Sequence, residues 1–172
     1  VELTASERVG MHRYTFPEAE EARIIIDLSE ANDDITVDSY IKQINETTFE
    51  GYRFSKGWAE DQREYFTLVL SKPVTNFVLY DGNEKVKDTK KQGNYIKGFL
   101  EFETTKNEVI IVKMGLSPVS SKNALENIEA EIPHWNFDKV AEQANVKWNK
   151  ELSKITIETP DLSKKKIFYT AM

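Results

Sequence analysis

Hydrophobic and polar residues alternate along much of the first two thirds of the chain. In the segment Val9–Phe16, one set of alternate positions begins with Val9 and Met11, and the other set ends with Phe16. The segment Tyr65–Leu70 shows the same two-residue period. This period is typical of a half-buried β-strand, and Pro17 ends the first strand because proline cannot donate to the sheet.

Further strands follow from the same alternation and from blocks of β-branched residues. They are predicted at Ala22–Leu28, Ile35–Asn45, Thr47–Ser55, Phe77–Tyr80, Ile96–Glu103 and Glu108–Leu116. The apolar run Val109–Val112 predicts a buried central strand. Asp81-Gly82-Asn83 is a turn signal, and the lysine-rich segment Lys85–Gly93 predicts a mobile hairpin tip.

The period changes to that of a helix after Ser117-Pro118. Ser120-Ser121 can cap a helix that Pro133 ends, and Asn136 can cap a second helix that reaches about Ile155. The second helix has an apolar stripe with helical spacing, typical of a packing face. We expect this stripe to pack as a linker through Phe137, Val140, Ala144, Trp148 and Leu152. A loop at Thr156–Leu162 then precedes a new apolar element.

Many short strands followed by helices, without β-α-β alternation, predict a mainly β protein. The expected fold is an antiparallel β-sandwich over residues 1–116, followed by a helical linker over residues 117–158. Residues 159–172 are predicted to begin a further, helical domain, with more chain downstream.

Composition narrows the function. The 172 residues carry a formal net charge of −6, which disfavours a nucleic-acid partner because phosphate binding needs a basic surface. The only basic run, Lys164–Lys166, is interpreted as a solvated loop. The chain has no cysteine, which excludes disulfides and thiolate chemistry, and no apolar run is long enough to span a membrane.

No catalytic motif is recognisable around the only two histidines, His12 and His134. The acidic side chains are interpreted as solvated surfaces. Asn32-Asp33-Asp34 and Asp81-Gly82-Asn83 lack the spacing of a calcium loop, so turn chemistry explains them better. No catalytic or metal-binding residue is therefore predicted in this chain.

Two stretches suggest contact with a ligand or another domain. His12 and Arg13 point to opposite faces of one strand, and an inward arginine needs a fixed anion or a wet cleft. The stretch "GYRFSKGWA" places Arg53 and Trp58 near two glycines. An indole here can stack on a sugar ring or close the end of a sandwich, and we expect Trp58 to be largely buried.

Four ordered segments carry a family resemblance: "ELTASERVGMHRYTFP", "GYRFSKGWAEDQREYFTLVLSKP", "VKMGLSPVSSKNALENIEAEIP" and "FYTAM". Together they resemble the glycoside hydrolase family 92 α-mannosidases. The resemblance implies a galactose-mutarotase-like β-supersandwich, a helical linker and a large (α/α)6 catalytic barrel beyond Met172. It also implies a calcium-dependent, inverting exo-mannosidase that is bacterial and periplasmic or secreted.

The family's catalytic carboxylates and calcium ligands lie in the barrel, so the resemblance assigns none of them to this chain. The implied partners are the chain's own catalytic domain and a mannose-containing glycan. In this hypothesis the chain supports the barrel and walls its active-site cleft. His12, Arg13, Arg53 and Trp58 are then candidates for the cleft or the domain interface.

Two alternatives come from other functional classes. One is an independent carbohydrate-binding sandwich that uses Trp58 and Tyr52 as stacking platforms. The other is an interaction scaffold without a ligand. A truncated apolar C-terminus and the unsatisfied apolar stripe of the second helix would cause self-association of the isolated chain, which could be mistaken for biology.

Overall fold

The computed structural model describes all residues from Val1 to Met172. The strands are β1 Glu2–Ala5, β2 Val9–Phe16, β3 Ala19–Asp27, β4 Ile35–Asn45, β5 Thr48–Lys56, β6 Gln62–Leu70, β7 Asn76–Asp81, β8 Glu84–Val86, β9 Lys90–Gly93, β10 Ile96–Thr104 and β11 Glu108–Ser117. The helices are α1 Ser121–Glu131, α2 Phe137–Leu152 and α3 Leu162–Thr170. The predicted order of strands followed by helices is confirmed.

The strands form a β-sandwich of two antiparallel sheets. The larger sheet has seven strands in the order β1-β2-β11-β6-β5-β4-β9, and the smaller has four in the order β3-β10-β7-β8. The main core lies between the sheets, where Phe49, Leu100, Phe102 and Ile110 are fully buried. The period-two positions of the sequence supply this core because alternate side chains of each strand face the other sheet.

A second, smaller core lies between the seven-stranded sheet and the helices. Val9 and Met11 of β2 pack there against Ile128 of α1 and against Phe137 and Val140 of α2. The seven-stranded sheet is therefore covered on both faces near β2, by the other sheet on one side and by helices on the other. No helix of the chain has the length and apolar character that crossing a bilayer requires.

Helix boundaries follow the caps that the sequence supplies. Ser120 accepts a hydrogen bond from the backbone of Asn123, and Asn136 accepts one from Lys139, so both predicted caps are confirmed. A third cap was missed: Asp161 accepts from the backbone N–H groups of Ser163 and Lys164. The lysine run therefore lies exposed on α3, and its interpretation as a loop is wrong.

The lysine-rich segment Lys85–Gly93 is not a simple hairpin tip. It contains β8, which pairs with β7, and β9, which crosses to the other sheet and pairs with β4. Lysine is suited to such an edge strand because its charge discourages pairing with another chain. Lys91 also forms a salt bridge of 3.1 Å to Asp81, which ties β9 back to β7.

The run Val109–Val112 lies in β11, inside the seven-stranded sheet as predicted. Ile110 and Val112 are buried, but Val109 is exposed because the helices do not extend over this end of the strand. The expectation of a fully buried strand is thus correct for one face only.

Candidate functional site

The histidines and the acidic side chains are the first places to look for a catalytic or metal centre. No three His, Cys, Asp or Glu side chains come together in a geometry suited to a metal ion. His12 Nδ1 lies 3.0 Å from the hydroxyl of Tyr14, and burial lowers the pKa of the imidazole. His134 Nδ1 accepts a hydrogen bond from the backbone of Asn136 in the turn before α2. Both histidines are thus engaged in local contacts.

Arg13 connects the sandwich to the helices. Its guanidinium contacts Glu2 of β1 at 2.5 Å and Asp138 of α2 at 2.9 Å, and it lies 4.3 Å from the centre of the Phe137 ring. The hydrogen bond to Glu2, more than that to Asp138, raises the pKa of Arg13. The expected anion is therefore present, as two carboxylates on the helix-covered face of β2.

Arg53 belongs to a different part of the molecule. Its two terminal nitrogens donate to the carboxylate of Asp34 at 2.8 and 2.9 Å, and Nε donates to the carbonyl of Leu28 at 3.1 Å. Hydrogen bonding from Arg53 and then Ser55 lowers the pKa of Asp34 to about 2. This bidentate pair fixes the loop between β3 and β4 against β5.

Trp58 is fully exposed, so the prediction that it is largely buried is wrong. The turn after β5 packs tightly on the β3–β4 loop: a Cβ atom at Gly57 would lie only 2.8 Å from the carbonyl oxygen of Asp33. Gly57 also donates to the carbonyl of Ala59, which closes the turn. The anchored backbone leaves the indole at the apex pointing into solvent.

The structure does not bring the four candidate residues together. His12 and Arg13 lie on β2, while Arg53 and Trp58 lie on and after β5. Two strands separate β2 from β5 in the sheet, which corresponds to about 14 Å at the usual strand spacing. These residues are therefore two local arrangements and do not form one site.

Tyr52 is not available as a second stacking platform. Its ring stacks on Phe54 at 4.2 Å and on Tyr40 at 5.7 Å, and its hydroxyl donates to Asp38. Burial and the hydrogen bond to Asp38 raise the pKa of Tyr52 to about 12. With Tyr65, these rings cover the part of the seven-stranded sheet that α1 does not reach.

The apolar stripe of α2 is covered only at its beginning. Phe137 and Val140 are buried against the sandwich, whereas Ala144 and Leu152 are partly exposed and Trp148 is 67% exposed. The helix has 16 residues, or about 24 Å, and only its first part lies over β1 and β2. The predicted packing face is thus divided between a covered half and an uncovered half.

A groove runs between the uncovered half of α2 and the turn that joins β1 to β2. Two adjoining cavities of about 560 and 520 Å³ share a lining of Ala5–Glu7, Ala144 and Lys147. Lys147 forms a salt bridge of 3.1 Å to Glu7 across the groove. Trp148 lies at one end of the groove and Glu131 at the other.

Glu131 holds the end of α1 against the β1–β2 turn. It accepts from the Ser6 hydroxyl at 2.6 Å and from Arg8 through both its backbone and its side chain. Burial opposes ionisation here, but hydrogen bonds from Ser6 and Arg8 outweigh it and lower the pKa of Glu131. The groove is therefore bounded by fixed polar groups as well as by apolar side chains.

Sequence analysis missed Lys113, a buried lysine on β11. Its Nζ donates to the carbonyl of Ile132 at 2.8 Å and lies 4.1 Å from the centre of the Trp135 ring. Burial lowers its pKa. The alternation of β11 places Lys113 opposite the buried Val112, on the face where helices pack, and this signal could have identified it.

Comparisons with known proteins give a consistent result. The sequence model of the glycosyl hydrolase family 92 N-terminal domain matches residues 1–117, and that of the family's catalytic domain matches residues 123–172. No match to a curated protein was found. The proposed boundary between linker and barrel, at residue 159, stays a prediction.

Solved structures of similar fold carry the same family description. The family GH92 α-mannosidase BT3965 from Bacteroides thetaiotaomicron is 30% identical with a TM-score of 0.89, over 98% of this chain and 24% of that chain. The GH92 family glycosyl hydrolase ccman5 is 24% identical, with a TM-score of 0.87 over 98% of this chain and 23% of that chain.

The inverting mannosidase BT2199 from Bacteroides thetaiotaomicron VPI-5482 is 22% identical, with a TM-score of 0.78 over 91% of this chain and 21% of that chain. At these identities, ccman5 and BT2199 show the fold alone. The chain spans about a quarter of the length of these relatives. Because the N-terminal domain model alone covers more than half of the chain, the chain belongs to glycosyl hydrolase family 92.

Proposed function

We propose that the chain is the non-catalytic N-terminal portion of a calcium-dependent, inverting exo-α-mannosidase. Its role is to support an (α/α)6 catalytic domain and to wall one side of the active-site cleft. The family membership and the α-mannosidase similar to 98% of the chain support this proposal. The substrate is a mannose-containing glycan, and the parent protein is bacterial and periplasmic or secreted.

The observation that carries the proposal is the contact between residues 1–117 and residues 123–172. These ranges match the two domain models of the family, and they meet in a buried apolar cluster and several polar contacts. Arg13 binds Asp138, Arg8 binds Glu131, and Lys113 binds the carbonyl of Ile132 across this boundary. The sandwich thereby fixes the direction in which the helices leave it.

The uncovered half of α2 is the proposed docking surface for the rest of the catalytic domain. Ala144, Trp148 and Leu152 continue the stripe whose first turn is buried. An exposed apolar patch of this kind marks a surface that another protein domain can bury favourably. Clefts for ligands often form where two domains meet.

No three His, Cys, Asp or Glu side chains of this chain come together in a geometry that would hold a calcium ion. The Asn32–Asp34 and Asp81–Asn83 segments are turns, with positive φ at Asp33 and Gly82. In the proposal the calcium ligands and the two carboxyl groups of inverting hydrolysis belong to the catalytic domain. This chain positions the catalytic domain and shapes one wall of the active-site cleft.

The test compares two polypeptides on an aryl α-mannoside with calcium. One is the 172-residue chain, and the other continues it with a complete family 92 catalytic domain. The longer polypeptide should hydrolyse the substrate and lose activity with a calcium chelator, and the shorter one should be inactive. Hydrolysis by the shorter chain would overturn the proposal, and activity that resists the chelator would remove its calcium component.

Carbohydrate binding by the sandwich itself is a second candidate, favoured by the full exposure of Trp58. An exposed indole can stack on a sugar ring. Mannose oligomers should then change the tryptophan fluorescence of the native chain but not that of a Trp58→Phe variant. An unchanged signal in the native chain eliminates Trp58 as a platform.

A further inference from the structure

A concave pocket lies on the outer face of the four-stranded sheet. Its floor is formed by Tyr80 of β7 and Phe99 of β10, whose ring centres are 5.3 Å apart. Phe99 faces outward because its neighbours Gly98 and Leu100 are buried between the sheets. The pocket has a volume of about 400 Å³, which is in the usual range for small-molecule sites.

Three chain segments wall this pocket, and backbone hydrogen bonds join them. The β7–β8 turn contributes Gly82 and Asn83, the turn before β10 contributes Tyr95, and the loop after β3 contributes Ser29 and Glu30. The Gly82 N–H donates to the carbonyl of Tyr95 at 2.9 Å. These contacts come from residues far apart in sequence, so the tertiary fold alone assembles the pocket.

The third segment is tied to the start of β10. The N–H of Leu28 donates to the carbonyl of Ile96 at 3.0 Å, next to Tyr95. Gly82 has a φ of +59°, a conformation that few other residues adopt, and this lets the turn close beside Tyr95. The walls are thus held in place before any ligand arrives, which lowers the entropic cost of binding.

The lining combines aromatic faces with polar side chains that form no hydrogen bond within the protein. Tyr95 is 65% exposed and lines the same pocket as the rings of Tyr80 and Phe99. The hydroxyl of Tyr95, the amide of Asn83 and the carboxylate of Glu30 remain open to a ligand. Aromatic rings bind the C–H faces of a sugar, and such polar groups bind its hydroxyls.

Charge narrows the class of ligand. Lys97 at the pocket is paired with Asp27 at 2.9 Å, and Asp27 also accepts from the hydroxyl of Ser29. Glu30 therefore leaves a net negative charge beside the rings, which disfavours phosphates and acidic sugars. A neutral, polyhydroxylated ring satisfies the lining best.

We propose that this pocket binds a neutral hexopyranose residue of a glycan, stacked on Tyr95 and hydrogen-bonded to Asn83 and Glu30. The pocket lies on the opposite side of the sandwich from the helices, because those pack on the seven-stranded sheet. It therefore stays open when the helical side is covered by another domain. The site is separate from Trp58 and requires no catalytic role of the parent protein.

The test is an NMR titration of the ¹⁵N-labelled 172-residue chain. The probes are methyl α-D-mannopyranoside, methyl β-D-glucopyranoside, sodium phosphate and tetramethylammonium chloride. At least one pyranoside should shift the amide signals of Gly82, Asn83 and Tyr95, with a dissociation constant in the millimolar range that a shallow site allows. Tryptophan fluorescence should not respond to this binding, because no tryptophan lines the pocket.

Three variants locate the interaction. Tyr95→Ala should weaken pyranoside binding by about tenfold or more through loss of ring stacking, while Trp148→Ala, at a similarly exposed aromatic residue on the helical side, should leave it unchanged. Glu30→Gln keeps an oxygen acceptor and should retain binding within about threefold, whereas a cationic ligand would lose its counter-charge. Tyr95 and the substituted tryptophan are both exposed, so the NMR spectrum of each variant should remain that of a folded chain.

The proposal is overturned if neither pyranoside shifts these signals, or if Tyr95→Ala binds as the native chain does. Shifts caused only by tetramethylammonium would identify a cation site, and shifts caused only by phosphate would identify an anion site. Either result excludes the sugar. Mannosidase activity of the longer polypeptide is measured separately, so this test and that of the proposed function fail independently.

Discussion

At the scale of single residues, the Arg53–Asp34 pair shows how a side-chain contact fixes a loop. Asp34 is mostly buried, accepts two hydrogen bonds from one guanidinium, and sits next to the turn that carries Trp58. Such bidentate contacts are stronger than ordinary hydrogen bonds and hold a fixed geometry. The position of the Trp58 turn therefore depends on a charge pair as well as on the sheet.

This pair makes stability depend on pH in the acid range. The pKa of Asp34 is lowered from 3.8 to about 2, so its stabilising contribution is complete above about pH 4 and is lost as pH falls through 2. Asp34→Asn should destabilise the chain by about 1–3 kcal/mol at neutral pH, and the difference should shrink between pH 4 and 2.

Urea unfolding at several pH values checks this expectation. Asp33→Asn is the matched control, because Asp33 is exposed and has a φ of 59° that asparagine tolerates. It should unfold as the native chain does. A pH-independent difference between native chain and Asp34→Asn would show that the ion pair is not its cause.

Trp58 and Phe49 are large aromatic residues of the same strand region with opposite environments. Phe49 is fully buried in the main core, and Trp58 is fully exposed. Phe49→Ala should lower the free energy of unfolding by about 3–5 kcal/mol, while Trp58→Ala should change it by no more than about 0.5 kcal/mol. Denaturant titration measures both, and a loss above about 2 kcal/mol for Trp58→Ala would show that the indole packs on the chain.

At the scale of elements, the contact of α1 with β11 is set by a glycine. A Cβ at Gly115 would lie 2.1 Å from the carbonyl oxygen of Ala124 and 2.8 Å from a side-chain carbon of Ile128. The helix therefore rests directly on the strand backbone. Because one obstacle is itself helix backbone, a side chain at Gly115 can be accommodated only by moving the helix.

Gly115→Ala should destabilise the chain by about 1–3 kcal/mol and accelerate hydrogen exchange in α1. Gly10→Ala on the neighbouring strand is the control, since its nearest contact would be an ordinary 3.5 Å to His12. Its unfolding midpoint should stay close to that of the native chain. Equal losses of stability in the two variants would show that replacing a strand glycine is itself destabilising, and that the contact with α1 is not the cause.

At the scale of the whole molecule, exposed apolar residues concentrate on the helical side. Trp148, Ile155, Leu162 and Ile167 are all more than half exposed, on α2, α3 and the segment between them. The salt bridges around them are solvent-exposed and contribute little stability. The 172-residue chain should therefore self-associate through this side.

Light scattering over a range of concentrations tests this expectation. Trp148→Glu should lower the average mass at high concentration, because a charge cannot be buried unpaired in an apolar contact. Trp58→Glu changes an exposed tryptophan in the turn between β5 and β6, outside the helices, and should leave association unchanged. If both variants dissociate equally, association depends on net charge and not on α2.

The sequence by itself determined the order and type of most elements, because those depend on residues two to four positions apart. Period-two alternation located the strands, and the Ser120 and Asn136 caps located the first two helices. The four family segments identified the family without any catalytic motif. Asp161 was missed because its cap precedes a short helix with little amphipathic pattern.

Only the tertiary structure decided which residues meet and which remain in solvent. It left Trp58 exposed, buried Lys113 beneath Ile132, and moved β9 to the sheet opposite its neighbour β8. It also assembled the pocket on the outer face of the four-stranded sheet, which Tyr95 lines, from three separate segments. These outcomes depend on strand pairing and on contacts between residues distant in sequence, and no local period of hydrophobic and polar positions encodes them.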